Sequence, residues 1–130
     1  MGSLAAFKRK YPSIKVVASI DDKEYINGSK KSLRLQQAES IYDSLPEGEK
    51  ESAKTFHRIL KSIEPCNVDI CVKDKDFFDY CGGIEIISTP GHMPGHISIY
   101  IKSTLIAGDA LVFENDETYY SKSTVYIRYE

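Results

Sequence analysis

The sequence predicts a mixed α/β fold, a β-sheet with helices packed on it, and three observations carry that prediction. Apolar residues at helical spacing are confined to the first half of the chain, up to Ile63. Short β-prone segments fill the second half, from Val68 onward. A continuous apolar run, Val16-Val17-Ala18, stands among the helices as a strand does when both of its faces are buried. A length of 130 residues suits one ordinary domain with a real core, so residues 1–130 are read as a single domain.

In chain order, Leu4, Ala5 and Phe7 followed by Lys8, Arg9 and Lys10 read as a short helix with cations at its negative end, stopped before Pro12. Ile14 to Ser19 reads as a strand. Asp21 or Asp22 is placed to cap a turn of helix that reaches Ile26 and breaks at Asn27-Gly28. From Lys31 to about Leu45, Leu33, Leu35, Ala38, Ile41, Tyr42 and Leu45 recur every three or four positions, which is one helix ending at Pro46. Glu47 to Ile63 gives another, with Phe56, Ile59, Leu60 and Ile63 on one side and His57 beside them as a partly exposed helical histidine. The strands expected thereafter are Val68 to Val72, Gly83 to Ser88, Ile97 to Lys102, Thr104 to Ala107 and Val125 to Tyr129.

A composition of 42% hydrophobic and 28% charged residues is that of a globular protein, not of a disordered or fibrous one. A formal net charge of -2 lacks the basic excess of a nucleic-acid binder, so no nucleic acid is expected as a partner. The apolar runs are a few residues long, against roughly 20 for a membrane span, and the start of the chain carries no signal-like apolar region. A cytoplasmic protein with no membrane partner is expected. Cys66, Cys71 and Cys81 are an odd number without C-x-x-C spacing and are read as reduced thiols; Cys66 with Cys71 as a metal pair is the less favoured reading.

Chemistry concentrates between Ile86 and Leu111. The segment Ser88-Thr89-Pro90-Gly91-His92-Met93-Pro94-Gly95-His96 follows an apolar strand, and Ala107-Gly108-Asp109 follows another. Loops leaving strand ends present functional side chains because the sheet holds them while their tips stay accessible. Neutral imidazole is a common ligand of zinc or iron, and the Asp109 carboxylate can bind one metal or bridge two. The plainer alternative is that His92 and His96 brace a tight turn and Asp109 caps a structural element.

T-P-G-H-x-P-G-H, then a strand, a hairpin and a second strand ending in A-G-D, resembles the pattern of the metallo-β-lactamase superfamily, which includes hydroxyacylglutathione hydrolases and many other metal-dependent hydrolases. The resemblance implies a partial αββα sandwich, with His92 as a metal ligand, Asp109 as the aspartate that bridges two metals or binds the second, and His96 as a supporting residue that orients the loop by hydrogen bonds. It implies hydrolysis in which zinc or iron lowers the pKa of water and polarises a carbonyl or phosphoryl group. Substrate-lining residues are often found where Tyr119 and Tyr120 stand, although packing in the core is the more ordinary role.

The family's main ligand cluster, H-x-H-x-D-H, precedes a helix start that Gly2-Ser3-Leu4-Ala5-Ala6-Phe7 resembles, and a late histidine ligand follows the aspartate. The chain holds three histidines and none after His96. It is therefore expected to resemble a truncated member, inactive by itself. Two readings follow: an enzyme fragment that needs a missing complementary segment, or a non-catalytic module that covers its exposed sheet as a homo-oligomer. Thr124 to Tyr129 is a candidate edge strand for such pairing or a plain core strand.

Overall fold

A computed structural model describes residues 2–114 and 117–120. Helices and both parallel and antiparallel strands are present, the mixed α/β class that the sequence predicts. The chain divides into two compact units, one of residues 2–16 with 24–68, the other of residues 17–23 with those from 69 on.

The first unit is helical. Helix α1 (Leu4–Lys10) ends where the Tyr11 N–H donates to the Phe7 carbonyl, with Lys8, Arg9 and Lys10 in the last turn. Its Ala5 is buried with Val16 and Cys66, and Leu4 and Val68 pack around them. A short helix, α2 (Lys23–Ile26), is followed by α3 (Leu33–Ile41), where the Ser32 hydroxyl accepts from the Leu35 N–H at 3.1 Å and caps the first turn. The single helix expected from Lys31 to Leu45 is shorter than that: Tyr42–Ser44 tightens into a 3-10 turn. Leu45 is extended because the ring of Pro46 excludes the helical conformation from the residue before it.

Helix α4 (Glu47–Lys61) carries Glu47 and Glu49 in its first turn and lies along α3. The Arg34 guanidinium sits over the Phe56 ring at 5.5 Å, and the Tyr42 and His57 rings are 5.5 Å apart. Glu39 takes Lys31 and Lys61 at 2.7 and 3.2 Å, and hydrogen bonds from the two ammonium groups hold its carboxyl below the usual range. These charges are exposed and contribute little to stability.

The second unit is built of strands. The strand β1 (Val17–Ser19) pairs in parallel with β2 (Ile70–Val72), Val17 opposite Ile70 and Ser19 opposite Val72. A parallel pair needs a long crossover, and here the crossover contains all of α2 to α4. The strand is shorter than the expected Ile14 to Ser19, and Val17 is exposed although Val16, Ala18 and Ser19 are buried. The expected burial of both faces therefore fails at Val17.

An antiparallel sheet follows in the order β3-β4-β5-β6, from β3 (Phe77–Phe78), β4 (Ile84–Ser88), β5 (Ile97–Ile101) and β6 (Thr104–Ile106). Ile84, Ile86 and Ser88 face Ile101, Ile99 and Ile97 across the β4–β5 register, and Ile86 is almost wholly buried. The side chains of Asp76 and Asp74 accept from the Lys73 and Ser88 N–H groups at 2.8 and 2.7 Å, tying the β2–β3 turn to the end of β4. A hairpin of β7 (Leu111–Glu114) and β8 (Glu117–Tyr120) completes the described chain. The expected strand from Val125 to Tyr129 lies outside the described residues. No helix among the described residues is long and apolar enough to cross a membrane.

Candidate metal centre

Residues 89–96 form the loop of the β4–β5 hairpin. The Thr89 N–H donates to the His96 carbonyl at 2.9 Å and closes its base, and the His96 N–H donates to the Met93 carbonyl at 3.2 Å across Pro94-Gly95. Proline supplies the fixed φ that a second turn position wants. Gly95 has no left-handed backbone; what requires glycine there is space. A Cβ would lie 2.6 Å from Asp22 Cγ and 2.9 Å from the Asp22 backbone nitrogen.

Asp22 reaches that place from the end of β1. The Ser19 hydroxyl accepts from the Asp21 N–H, the Ser19 carbonyl accepts from the Asp22 N–H, both at 3.2 Å, and the Asp22 carboxylate accepts from the Gly95 N–H at 3.1 Å. Burial raises the Asp22 pKa above its ordinary value; the Gly95 hydrogen bond opposes this, the Asp21 charge adds to it, and His96 again opposes it. The sequence offered Asp21 or Asp22 as a helix cap, whereas the Asp22 carboxylate is turned to the Gly95 N–H.

His96 is held on the other side. Its Nδ1 lies 2.9 Å from Thr89 Oγ1, which lies 2.9 Å from Ser98 Oγ, and Ser98 is 0% exposed. A buried hydroxyl needs such a partner, so the three side chains form one hydrogen-bonded line from the sheet to the imidazole. Gly108, at φ 53°, begins the 3-10 turn Gly108–Ala110 that carries Asp109, and a Cβ on it would be 3.3 Å from His96 Nε2. Glycine at 108 thus meets two demands, a left-handed backbone and the closeness of the imidazole.

His92 Nε2 and Asp109 Oδ2 come within 3.6 Å of each other, with side chains 30% and 75% exposed. Two donors on one tetrahedral zinc, each about 2.1 Å from it, stand about 3.4 Å apart, so the pair fits two positions around one ion. The donor set, imidazole nitrogen and carboxylate oxygen, suits zinc or iron. Among the described residues no group of three or more His, Cys, Asp or Glu is placed to hold a metal ion. Cys66 is buried and Cys71 and Cys81 are exposed, all three with free thiols. The side chains of Tyr119 and Tyr120 fall outside what the structure describes.

Sequence reasoning singled out His92, His96 and Asp109, which the fold gathers around one loop and one turn. It missed the part played by Asp22, Thr89 and Ser98. Thr89 had a signal, since it begins the motif; Asp22 had none, standing 73 positions from Gly95.

No protein-family model matches the chain. No curated protein matches it either. Among solved structures it is similar to a metallo-β-lactamase family protein from Thermus thermophilus, with a TM-score of 0.59 and 19% identity over 85% of this chain. The chain spans 36% of that protein's length. The fold is that of part of a metallo-β-lactamase family protein.

Proposed function

We propose that the chain is a metal-binding relative of the metallo-β-lactamase-fold hydrolases, in which His92 and Asp109 each give one donor to the same ion. The observation that carries this reading is the 3.6 Å separation of His92 Nε2 and Asp109 Oδ2 on two neighbouring loops of one fold unit. The ion would be zinc or iron. When bound, it supplies Lewis acidity and lowers the pKa of water. His92 and Asp109 hold it, while His96 steadies the loop through Thr89 and Ser98.

A catalytic zinc ordinarily takes three protein donors, so a pair leaves the shell incomplete and hydrolysis by the isolated chain negligible. Completion falls to a complementary segment that carries the H-x-H-x-D-H pattern. The three free thiols favour a reducing compartment, the cytoplasm, as the place of action.

Zinc titration by calorimetry, with wild type beside His92→Ala and Asp109→Ala, tests the site. Binding by the wild type that falls at least tenfold in each variant is the expected result. Equal binding by all three proteins, or none by the wild type, sinks the assignment.

A second reading, a self-associating module without catalysis, is favoured by one observation. Phe77, Tyr100 and Leu105 are large apolar residues exposed on one face of the antiparallel sheet. Under this reading a second copy of the chain covers them, and the dimer persists without metal.

A further inference from the structure

We propose that Asp22 is a positioning residue for the loop that carries His92 and His96, holding it through the backbone of Gly95. For its metal consequence this rests on the His92–Asp109 reading; the clamp itself does not.

Three observations converge on it. The Ser19–Asp22 turn is fixed by two hydrogen bonds to Ser19, a buried residue at the end of β1, so the Asp22 carboxylate leaves a rigid base. That carboxylate accepts from the Gly95 N–H at 3.1 Å, between the two histidines of the motif. Gly95 is buried against Asp22 so closely that one added carbon would meet Asp22 side-chain atoms at 2.6 and 2.7 Å and its backbone nitrogen at 2.9 Å. Contact and hydrogen bond act together: the missing side chain at 95 lets the loop seat, and the carboxylate stops it from lifting.

The loop is thereby pinned on both sides. The Thr89–His96 pair closes its base on the sheet, and Asp22, in the turn that follows β1, grips its Pro94-Gly95 turn. His92 lies on the stretch between these two anchors. Its distance to Asp109 depends on both. A loop anchored only at its base would sample other placements of His92, and a metal would have to gather it back at a cost in affinity.

The experiment uses the full chain as wild type, Asp22→Asn and Asp22→Ala, with amide hydrogen exchange read by NMR and zinc affinity read by calorimetry. Asparagine keeps an acceptor at the same place; alanine removes it. In Asp22→Ala the Gly95 amide is expected to exchange at least tenfold faster than in the wild type, with the Ile86 amide of the neighbouring strand changed less than twofold. Asp22→Asn is expected to restore Gly95 protection. A general loss of stability moves both amides together, so an equal rise at Gly95 and Ile86, or no change at Gly95, overturns the clamp. Zinc affinity is expected to fall in Asp22→Ala and to recover in Asp22→Asn. Unchanged zinc affinity with Gly95 deprotected overturns the link between clamp and site. If wild type takes no zinc, the metal reading fails, and the exchange data still decide the clamp by themselves.

Discussion

Thr89 is the residue on which the loop turns most directly, because its hydroxyl serves two side chains at once: His96 Nδ1 and Ser98 Oγ, each at 2.9 Å. Thr89→Val keeps the volume and removes both bonds, leaving the wholly buried Ser98 hydroxyl without its partner. A loss of about 1 to 3 kcal/mol is expected in urea denaturation, with Thr89→Ser recovering much of it. A Thr89→Val protein as stable as the wild type would show that the line of hydroxyls carries no energy. Asp22 carries a pH signature as well. Its folded pKa is raised above 3.8, chiefly by burial, so its contribution to stability is full below that value and is lost as pH rises through the folded pKa. Asparagine at 22 does not titrate. Stability curves of wild type and Asp22→Asn should therefore diverge in favour of the variant as pH rises from below 3.8 through the folded pKa, and a constant gap across that rise would refute the shift.

Among the elements, α3 offers the cleanest test of local coding. Ser32→Ala removes the hydroxyl that accepts from the Leu35 N–H, and about 1 kcal/mol of stability should go with it by denaturant titration. The helices were legible in the sequence because their periodicity and caps are written within a few residues of each other. Where the end of α3 differs from the expectation, at Tyr42–Ser44, the cause is also local: the chain tightens ahead of Leu45, which the proline at 46 holds extended. The hairpin strands β4, β5 and β6 could likewise be read from apolar segments bounded by turn residues. The strand β3 could not, since two residues, Phe77 and Phe78, carry no period. The hairpin β7–β8 was passed over although Val112, Phe113, Tyr119 and Tyr120 are strand-forming types. The motif histidines and Asp109 were visible as a pattern, whereas Asp22 was hidden because its use depends on a contact between distant parts of the chain.

At the scale of the whole molecule, the register places Phe77, Glu85, Tyr100 and Leu105 in one row across the antiparallel sheet, on the same face. Three of the four are large, apolar and exposed. If the chain is the self-associating module of the second reading, association through this row survives a chelator and is lost in Phe77→Ser with Leu105→Lys. Sedimentation velocity checks it, and a wild type that sediments as a monomer at every concentration removes the idea. The parallel pairing of β1 with β2 has a consequence in time. Val17 meets Ile70, whereas across the β4–β5 hairpin Ser88 meets Ile97. Closing the longer loop costs roughly 1.5 kcal/mol more in chain entropy than closing the shorter one. As the chain leaves the ribosome, β1 and the turn that bears Asp22 wait for fifty-odd further residues before a partner strand arrives. The partner strand β2 emerges ahead of β4 and β5, so β1 and the turn that bears Asp22 can be fixed before the β4–β5 loop is complete. Assembly of the site then waits on the β4–β5 hairpin, which closes onto a turn already held by the oldest strand of the chain.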